Sequence, residues 1–265
     1  MPYAELNGIR LYYEDAGSGP PLLLIAGLGA NRLSWATVVP ALADEYRCIT
    51  FDNRGVGKSD VPPGPYAMDT LGDDAAALID HLGIGPVDCV GWSMGGSVLQ
   101  SLMINHPGSV KRGVLLSTLP SYTPIQHKWL DALTFMRKHE LDPVALAVIG
   151  MPWGTTARSL YDHEKRYELA KLVTQMPDPT TYVGFHAQGE AIRNYDSRAG
   201  LPGVRTPTLI LVGAEDVLTP PSQAVEMASL IPGAKLKVLP RGSHGMVIEY
   251  PEDTLAEIRA FLSAT

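Results

Sequence analysis

The sequence predicts an α/β fold built on a mostly parallel sheet, and two observations carry that prediction. Short apolar runs alternate along the chain with longer helix-like stretches, the rhythm of strand and helix layered together. The apolar runs are also continuous rather than alternating, the pattern of strands covered on both faces, as strands of a parallel sheet are.

Taken in order, Glu5 to Glu14 reads as two strands turning at Asn7-Gly8, a dipeptide that tolerates the positive φ of a tight antiparallel hairpin. Six further strands follow at Leu22 to Ile25, Cys48 to Phe51, Val87 to Val90, Gly113 to Leu116, Thr208 to Val212 and Leu236 to Leu239, each bounded by Gly, Pro or Asp. Helices are predicted near Ser34 to Ala43, Thr70 to Leu82, Met94 to His106, Pro221 to Leu230 and Pro251 to Leu262. Residues 119–200 break the rhythm: aromatic and charged residues are mixed there with no buried strand, which predicts a mostly helical insertion. Pro202 and Pro207 then disfavour continued helix and return the chain to the sheet. The expected organisation is a core of residues 1–118 and 201–265 with a helical cap of residues 119–200.

A chain of 265 residues with 45% hydrophobic content can bury one sizeable core. Its net charge of −7 opposes binding to nucleic acid or to an anionic membrane. The first residues carry no basic or apolar leader, and no apolar run approaches the roughly 18 residues of a membrane span. A cytoplasmic protein with neither nucleic-acid nor membrane partners is expected, and a homo-oligomer is left open. Cys48 and Cys89 sit in strand-like segments, where buried reduced thiols are expected rather than a disulfide or a metal site.

The sharpest local feature is Gly91-Trp92-Ser93-Met94-Gly95-Gly96, which follows a buried strand and opens a helix. The five-residue Gly-x-Ser-x-Gly pattern is weak alone. Its placement between strand and helix makes it a nucleophile elbow, where small neighbours let a serine hydroxyl project from a strained turn. A serine hydroxyl is a poor nucleophile at neutral pH, so a base and a group orienting that base must follow. Asp216 lies just beyond the Leu209 to Val212 strand and is preferred to its neighbour Glu215 by position and by its shorter side chain. His244 alone among seven histidines follows a strand end after the acid. His81 and His106 close predicted helices, and His127, His139, His163 and His186 fall in the insertion. Two backbone N–H groups are the economical donors to a developing oxyanion. Met94 offers one, and Leu28, in the glycine-bracketed turn Gly27-Leu28-Gly29, is the candidate for the other. No cofactor fingerprint is present, since the glycine spacing matches neither a P-loop nor a dinucleotide site.

Together with Asp52-Asn53-Arg54-Gly55-Val56-Gly57-Lys58-Ser59, these residues resemble the α/β-hydrolase superfamily over nearly the whole chain. Ala26 to Gly29, Gly91 to Gly96 and Met151-Pro152-Trp153 look most like β-ketoadipate enol-lactone hydrolases and aminoacrylate hydrolases. The resemblance implies an α/β-hydrolase fold with a mostly parallel eight-stranded sheet, flanking helices and a helical cap. It also implies a cofactor-free serine hydrolase with Ser93 as nucleophile, His244 as base and Asp216 orienting it. Leu28 and Met94 would hold the oxyanion of a small ester or lactone substrate. The insertion would close over the sheet and bring Trp129, Trp153 or Met151 to an apolar pocket, although each taken singly is read as a core residue rather than a ligand contact. Its charged residues Arg137, Arg158, Arg166 and Arg193 are read as solvated surface, with a substrate carboxylate as the alternative partner. Serine rather than aspartate in the elbow argues against dehalogenase and epoxide-hydrolase chemistry. The same triad also serves C–C bond hydrolases and perhydrolases, and some relatives are ligand-binding receptors on the same scaffold.

Overall fold

A computed structural model describes residues 2–264. β1 (Tyr3–Leu6) and β2 (Ile9–Ala16) form the opening hairpin, with Leu6 opposite Ile9 and Asn7 in the left-handed region at φ 49°. β3 (Pro21–Ile25), β4 (Arg47–Phe51), β5 (Val87–Trp92), β6 (Val110–Leu116), β7 (Thr208–Gly213) and β8 (Lys235–Leu239) complete one eight-stranded sheet of order β1-β2-β4-β3-β5-β6-β7-β8. β2 pairs antiparallel with β1 and β4, and all other neighbours are parallel.

Alternate residues of the buried strands serve opposite faces, as the two-residue period of a strand requires. Leu23, Ile25, Ile49, Phe51, Leu115 and Ile210 pack beneath α2 (Met68–Leu82), α3 (Met94–Asn105) and α9 (Pro221–Leu230). Leu22, Leu24, Cys48, Val114, Leu209 and Leu211 pack on the other side, against Trp35, α1 (Val38–Leu42), α10 (Met246–Glu249) and α11 (Pro251–Ser263). Cys48 and Cys89 are buried free thiols, and burial pushes Cys48 up to about 11.

The helix expected over Ser34 to Ala43 is instead a 3₁₀ turn at Arg32–Trp35 followed by α1. Pro40 gives the reason. In a continuous helix it would need to donate to the carbonyl of Ala36 and its ring would strike that carbonyl, whereas a helix starting at Val38 puts it in the first turn.

Between β6 and β7 the chain is helical: α4 (Pro124–Lys138), α5 (Pro143–Gly154), α6 (Ala157–Leu160), α7 (His163–Thr174) and α8 (Tyr182–Arg193). An isolated bridge between Ser121 and Asp196 draws its two ends together. α4 opens on a capping box between Thr123 and Gln126 with Pro124 in the first turn, and α8 is capped by the Thr181 hydroxyl. Gln188 fastens α8 to the sheet side by accepting from Gly29 N at 2.9 Å and donating to the Arg54 carbonyl at 2.8 Å.

The Asp52 to Ser59 loop is held by buried charge. The Asp52 carboxylate accepts from Arg32 N at 2.7 Å, Arg32 Nη1 at 3.0 Å and Lys58 N at 2.8 Å. Burial still pushes this carboxyl above its ordinary range, with those donors opposing. Arg54 forms a fork on Asp74, which is fully buried and also accepts from Asn7. Removing one partner of such a pair strands the other charge. Asp74→Ala is therefore expected to lose about 3–5 kcal/mol of stability, measured by equilibrium urea unfolding.

Candidate active site

Parallel strands present their carboxyl ends along one edge, and β5, β7 and β8 each deliver one polar residue there. Ser93 follows β5 directly with φ 58° and ψ −123°, a conformation an ordinary L-residue avoids. Two glycines permit it by close approach. A β-carbon at Gly91 would sit 2.3 Å from the Gly95 carbonyl oxygen, and one at Gly95 would sit 2.1 Å from that of Ile25.

His244 Nε2 lies 2.8 Å from Ser93 Oγ, and His244 Nδ1 lies 3.2 Å from Asp216 Oδ2. Asp216 and His244 are 2% and 8% exposed, while Glu215 beside them faces solvent. The sequence thus named three residues that meet, and the rival acid stands outside. Asp216 Oδ1 accepts from the backbone N–H groups of Leu218 and Thr219 at 3.0 and 2.7 Å. The Thr219 hydroxyl donates to Asp216 Oδ2 at 2.7 Å and lies 3.1 Å from His244 Nδ1.

That arrangement fixes the histidine tautomer. The Thr219 proton is committed to the carboxylate, so both oxygens near Nδ1 are acceptors and Nδ1 carries the hydrogen. Nε2 is then left with its lone pair facing the serine hydroxyl. The loop bearing His244 is pinned from two further sides: its own carbonyl accepts from the Trp92 indole at 2.9 Å, and Gly245 N donates to the Gly154 carbonyl at 2.9 Å. Thr219 and Trp92 escaped the sequence reading. Thr219 had a local signal, since an aspartate accepting from N–H groups two and three residues ahead is a side-chain turn.

The turn bearing Leu28 and the start of α3 at Met94 both lie beside Ser93. A β-carbon at Gly27 would lie 3.2 Å from Ser93 Cβ, so the turn carrying Leu28 lies against the serine. Among the described residues, neither the Leu28 nor the Met94 N–H has an acceptor. Met94 opens α3, where the first N–H groups of a helix have no partner within it. Two idle donors beside the Ser93–His244 pair are placed as donors to a developing negative oxygen would be. No cluster of three or more His, Cys, Asp or Glu side chains suited to a metal ion occurs among the described residues, and no helix there is long and apolar enough to cross a membrane.

The sequence model of the alpha/beta hydrolase fold family matches residues 20–251. The chain belongs to this family. Its hydrolase-fold relatives include 3-oxoadipate enol-lactonase 2 of Acinetobacter baylyi, 29% identical over 92% of this chain and 90% of that protein. A Mycobacterium tuberculosis protein, provisionally named a non-heme bromoperoxidase, is 31% identical over 92% of this chain and 94% of its own. Among solved hydrolase-fold structures, the enol-lactonase of Burkholderia xenovorans superposes with a TM-score of 0.88 at 29% identity, covering 99% of this chain and all of that one.

α4 and α5 frame an apolar groove of about 470 Å³ lined by Trp129, Leu133, Met136, Ile149 and Trp153 among others, and none of Ser93, Asp216, His244, Leu28 or Met94 lines it. Trp153 precedes Gly154, whose carbonyl accepts from Ser243 Oγ at 2.6 Å as well as from Gly245 N, so the end of α5 is tied to the His244 loop. Trp129 and Trp153 share this one hollow, while Met151 does not line it.

The elbow leaves no room for a side chain at its second glycine. Gly95→Ala drives a β-carbon into the backbone of β3, and overpacking of that kind costs about 1–3 kcal/mol or more. Thermal unfolding is expected to show a lowered Tm, with the Ser93 hydroxyl displaced from His244.

Proposed function

We propose that this chain hydrolyses a carboxylic ester or lactone of a small organic substrate through an acyl-enzyme on Ser93. The observation that carries the reading is the 2.8 Å contact of Ser93 Oγ with a His244 Nε2 whose tautomer is set by Asp216 and Thr219. The enol-lactonases among its relatives favour the same chemistry.

Ser93 Oγ attacks the substrate carbonyl as His244 Nε2 takes its proton. The carbonyl π electrons move to oxygen, which the Leu28 and Met94 N–H groups receive. Collapse of the tetrahedral intermediate expels the alkoxide, protonated by the imidazolium, and leaves the acyl group on Ser93. Water then attacks the acyl carbonyl with His244 again as base, the serine leaves with the returned proton, and the free acid departs. For a lactone, acid and alcohol remain one molecule. The helical segment from α4 to α8 acts as a cap whose groove takes the apolar part of the substrate.

A second reading draws on the bromoperoxidase name of the Mycobacterium relative: hydrogen peroxide in place of water would intercept the same acyl group and release a peracid. The two readings share the acyl-enzyme and part at its acceptor.

The deciding experiment is initial-rate hydrolysis of a panel of aryl esters and lactones by wild type and Ser93→Ala. The variant is expected to stay folded by circular dichroism and to lose roughly three or more orders of magnitude in kcat. Equal activity of the two proteins removes Ser93 from the mechanism.

Thr219 is a positioning residue in this scheme. Losing a hydrogen bond to a charged group costs about 1.5–3 kcal/mol, so Thr219→Val should lower kcat about 10- to 100-fold with KM little changed. Thr219→Ser, which keeps the hydroxyl, should recover most of that loss. A change confined to KM would show that the hydroxyl acts elsewhere.

A further inference from the structure

The turn that carries Leu28 is held by a side chain to which the proposed reaction gives no part. Ala30 N donates to the Gly27 carbonyl at 3.2 Å, which closes a four-residue turn with Leu28 and Gly29 at its centre. Of those two only Gly29 has a positive φ, 63°, the signature of a type II turn. A type I turn closes on the same bond with its central peptide turned over, and glycine is free to adopt either form. The N–H of that central peptide belongs to Gly29, and it donates to Gln188 Oε1 at 2.9 Å.

Gln188 is fully buried on α8, and its partners allow its amide one orientation. The Gly29 N–H can only donate, and the Arg54 carbonyl, 2.8 Å from Nε2, can only accept. Arg54 is itself clamped by its fork on Asp74. The glutamine therefore reaches from a loop fixed by buried charge to the one peptide whose orientation separates the two turn forms. Turning that peptide over would take the donor away from Oε1 and set the Leu28 carbonyl in its place, acceptor against acceptor. Phe185, three residues earlier on α8, packs on the same turn: a β-carbon at Gly29 would be 2.8 Å from its ring. At the other end of the turn, a β-carbon at Gly27 would be 3.2 Å from Ser93 Cβ, so the form of the turn bears directly on what the serine faces.

We propose that Gln188 is a positioning residue: by holding the Gly29 N–H it keeps the turn in the form that aims the Leu28 N–H at the oxygen of the reacting carbonyl. The inference rests on the ester or lactone hydrolase reading, which gives Leu28 its role as oxyanion donor. It adds that this donor is set from the helical segment, 159 residues along the chain, and not by the sheet alone.

The test uses pairs of aryl esters that differ only at the reacting group, 4-nitrophenyl alkanoates and their thiono counterparts with C=S in place of C=O. Sulfur accepts hydrogen bonds weakly, so the oxo-to-thiono ratio of kcat/KM reads the oxyanion donors rather than the serine or its base. Gln188→Met, similar in length and without either hydrogen bond, should lower kcat for the oxo ester and lower the ratio about 2- to 10-fold, the range of one neutral hydrogen bond. KM should change little. Thr219→Val, which acts through His244, should slow both esters alike and leave the ratio where it is. Gln188→Glu keeps an acceptor for the Gly29 N–H and gives up the donor to Arg54, so its ratio should lie nearer to wild type than that of Gln188→Met. Where Gln188→Met does not fold, Gln188→Asn, too short to span both partners, is read in its place. A ratio unmoved by Gln188→Met, or one no higher in Gln188→Glu, overturns the proposal while the hydrolase reading stands. Should no ester be cleaved by wild type, release of 4-nitrophenolate from ethyl 4-nitrophenyl methylphosphonate reads Ser93 and the donors in a single turnover. Slower release in Gln188→Met then supports the proposal and equal release overturns it. Wild type inert to esters and phosphonate alike removes the hydrolase reading and this inference with it.

Discussion

The backbone of Ser93 is held at φ 58°, ψ −123°, and the rest of the site is arranged around that one unfavourable residue. Such a conformation costs on the order of 1–3 kcal/mol and persists only where its surroundings leave no alternative. Here β5 is hydrogen-bonded on both sides, by β3 and β6. Ser93 N donates to the Leu116 carbonyl at 2.9 Å, and its own carbonyl accepts from Gly96 N at 2.9 Å. Sheet and helix thus grip the residue from front and back. A serine placed this way presents its hydroxyl at the carboxyl edge of the sheet. The parallel order β5-β6-β7-β8 then brings Asp216 and His244 to the same edge, although His244 is 151 residues away in sequence.

The helical segment engages both loops that flank the serine. Gln188 and Thr180 bracket Gly29 by its N–H and carbonyl, and Arg32, next along, is shared among Glu14, Asp52 and Asp178. On the other side, Ser243 and Gly245 both bond the Gly154 carbonyl at the end of α5, while Glu249 accepts from Thr156 N at 3.1 Å. The turn bearing Leu28 and the loop bearing His244 are thereby tied to α8 and α5. Geometry at the serine and the placement of the helices above it are one problem in packing, not two.

Sheet, elbow and strand-end residues were legible because each leaves a local mark. A continuous apolar run, a glycine bracket and a polar residue just past a strand all lie within a few positions of one another. The split of the first helix was legible too, in Pro40, but only once the missing donor is counted. What could not be read were contacts made across the sheet or between layers. Trp92 reaches His244 over 152 residues, and Ser243 reaches Gly154 over 89. α5 is harder still: Pro143 to Gly154 is apolar nearly all round and none of its residues is buried, so periodicity could not tell its groove face from its outer face.

The surroundings of Asp216 explain why the pair with His244 suits proton transfer. Among the described residues no lysine or arginine pairs with this buried carboxylate; its partners are two backbone N–H groups, one hydroxyl and the imidazole. Neutral dipoles stabilise the anion without cancelling its charge, so its field still falls on His244. A cation in their place would satisfy the carboxylate equally well and remove the reason for His244 to accept a proton. In the mechanism proposed above, the Asp216 carboxylate faces a positive partner only while the serine proton resides on Nε2. In the proposed reaction, that is when negative charge also develops at the Leu28 and Met94 donors on the other side of Ser93.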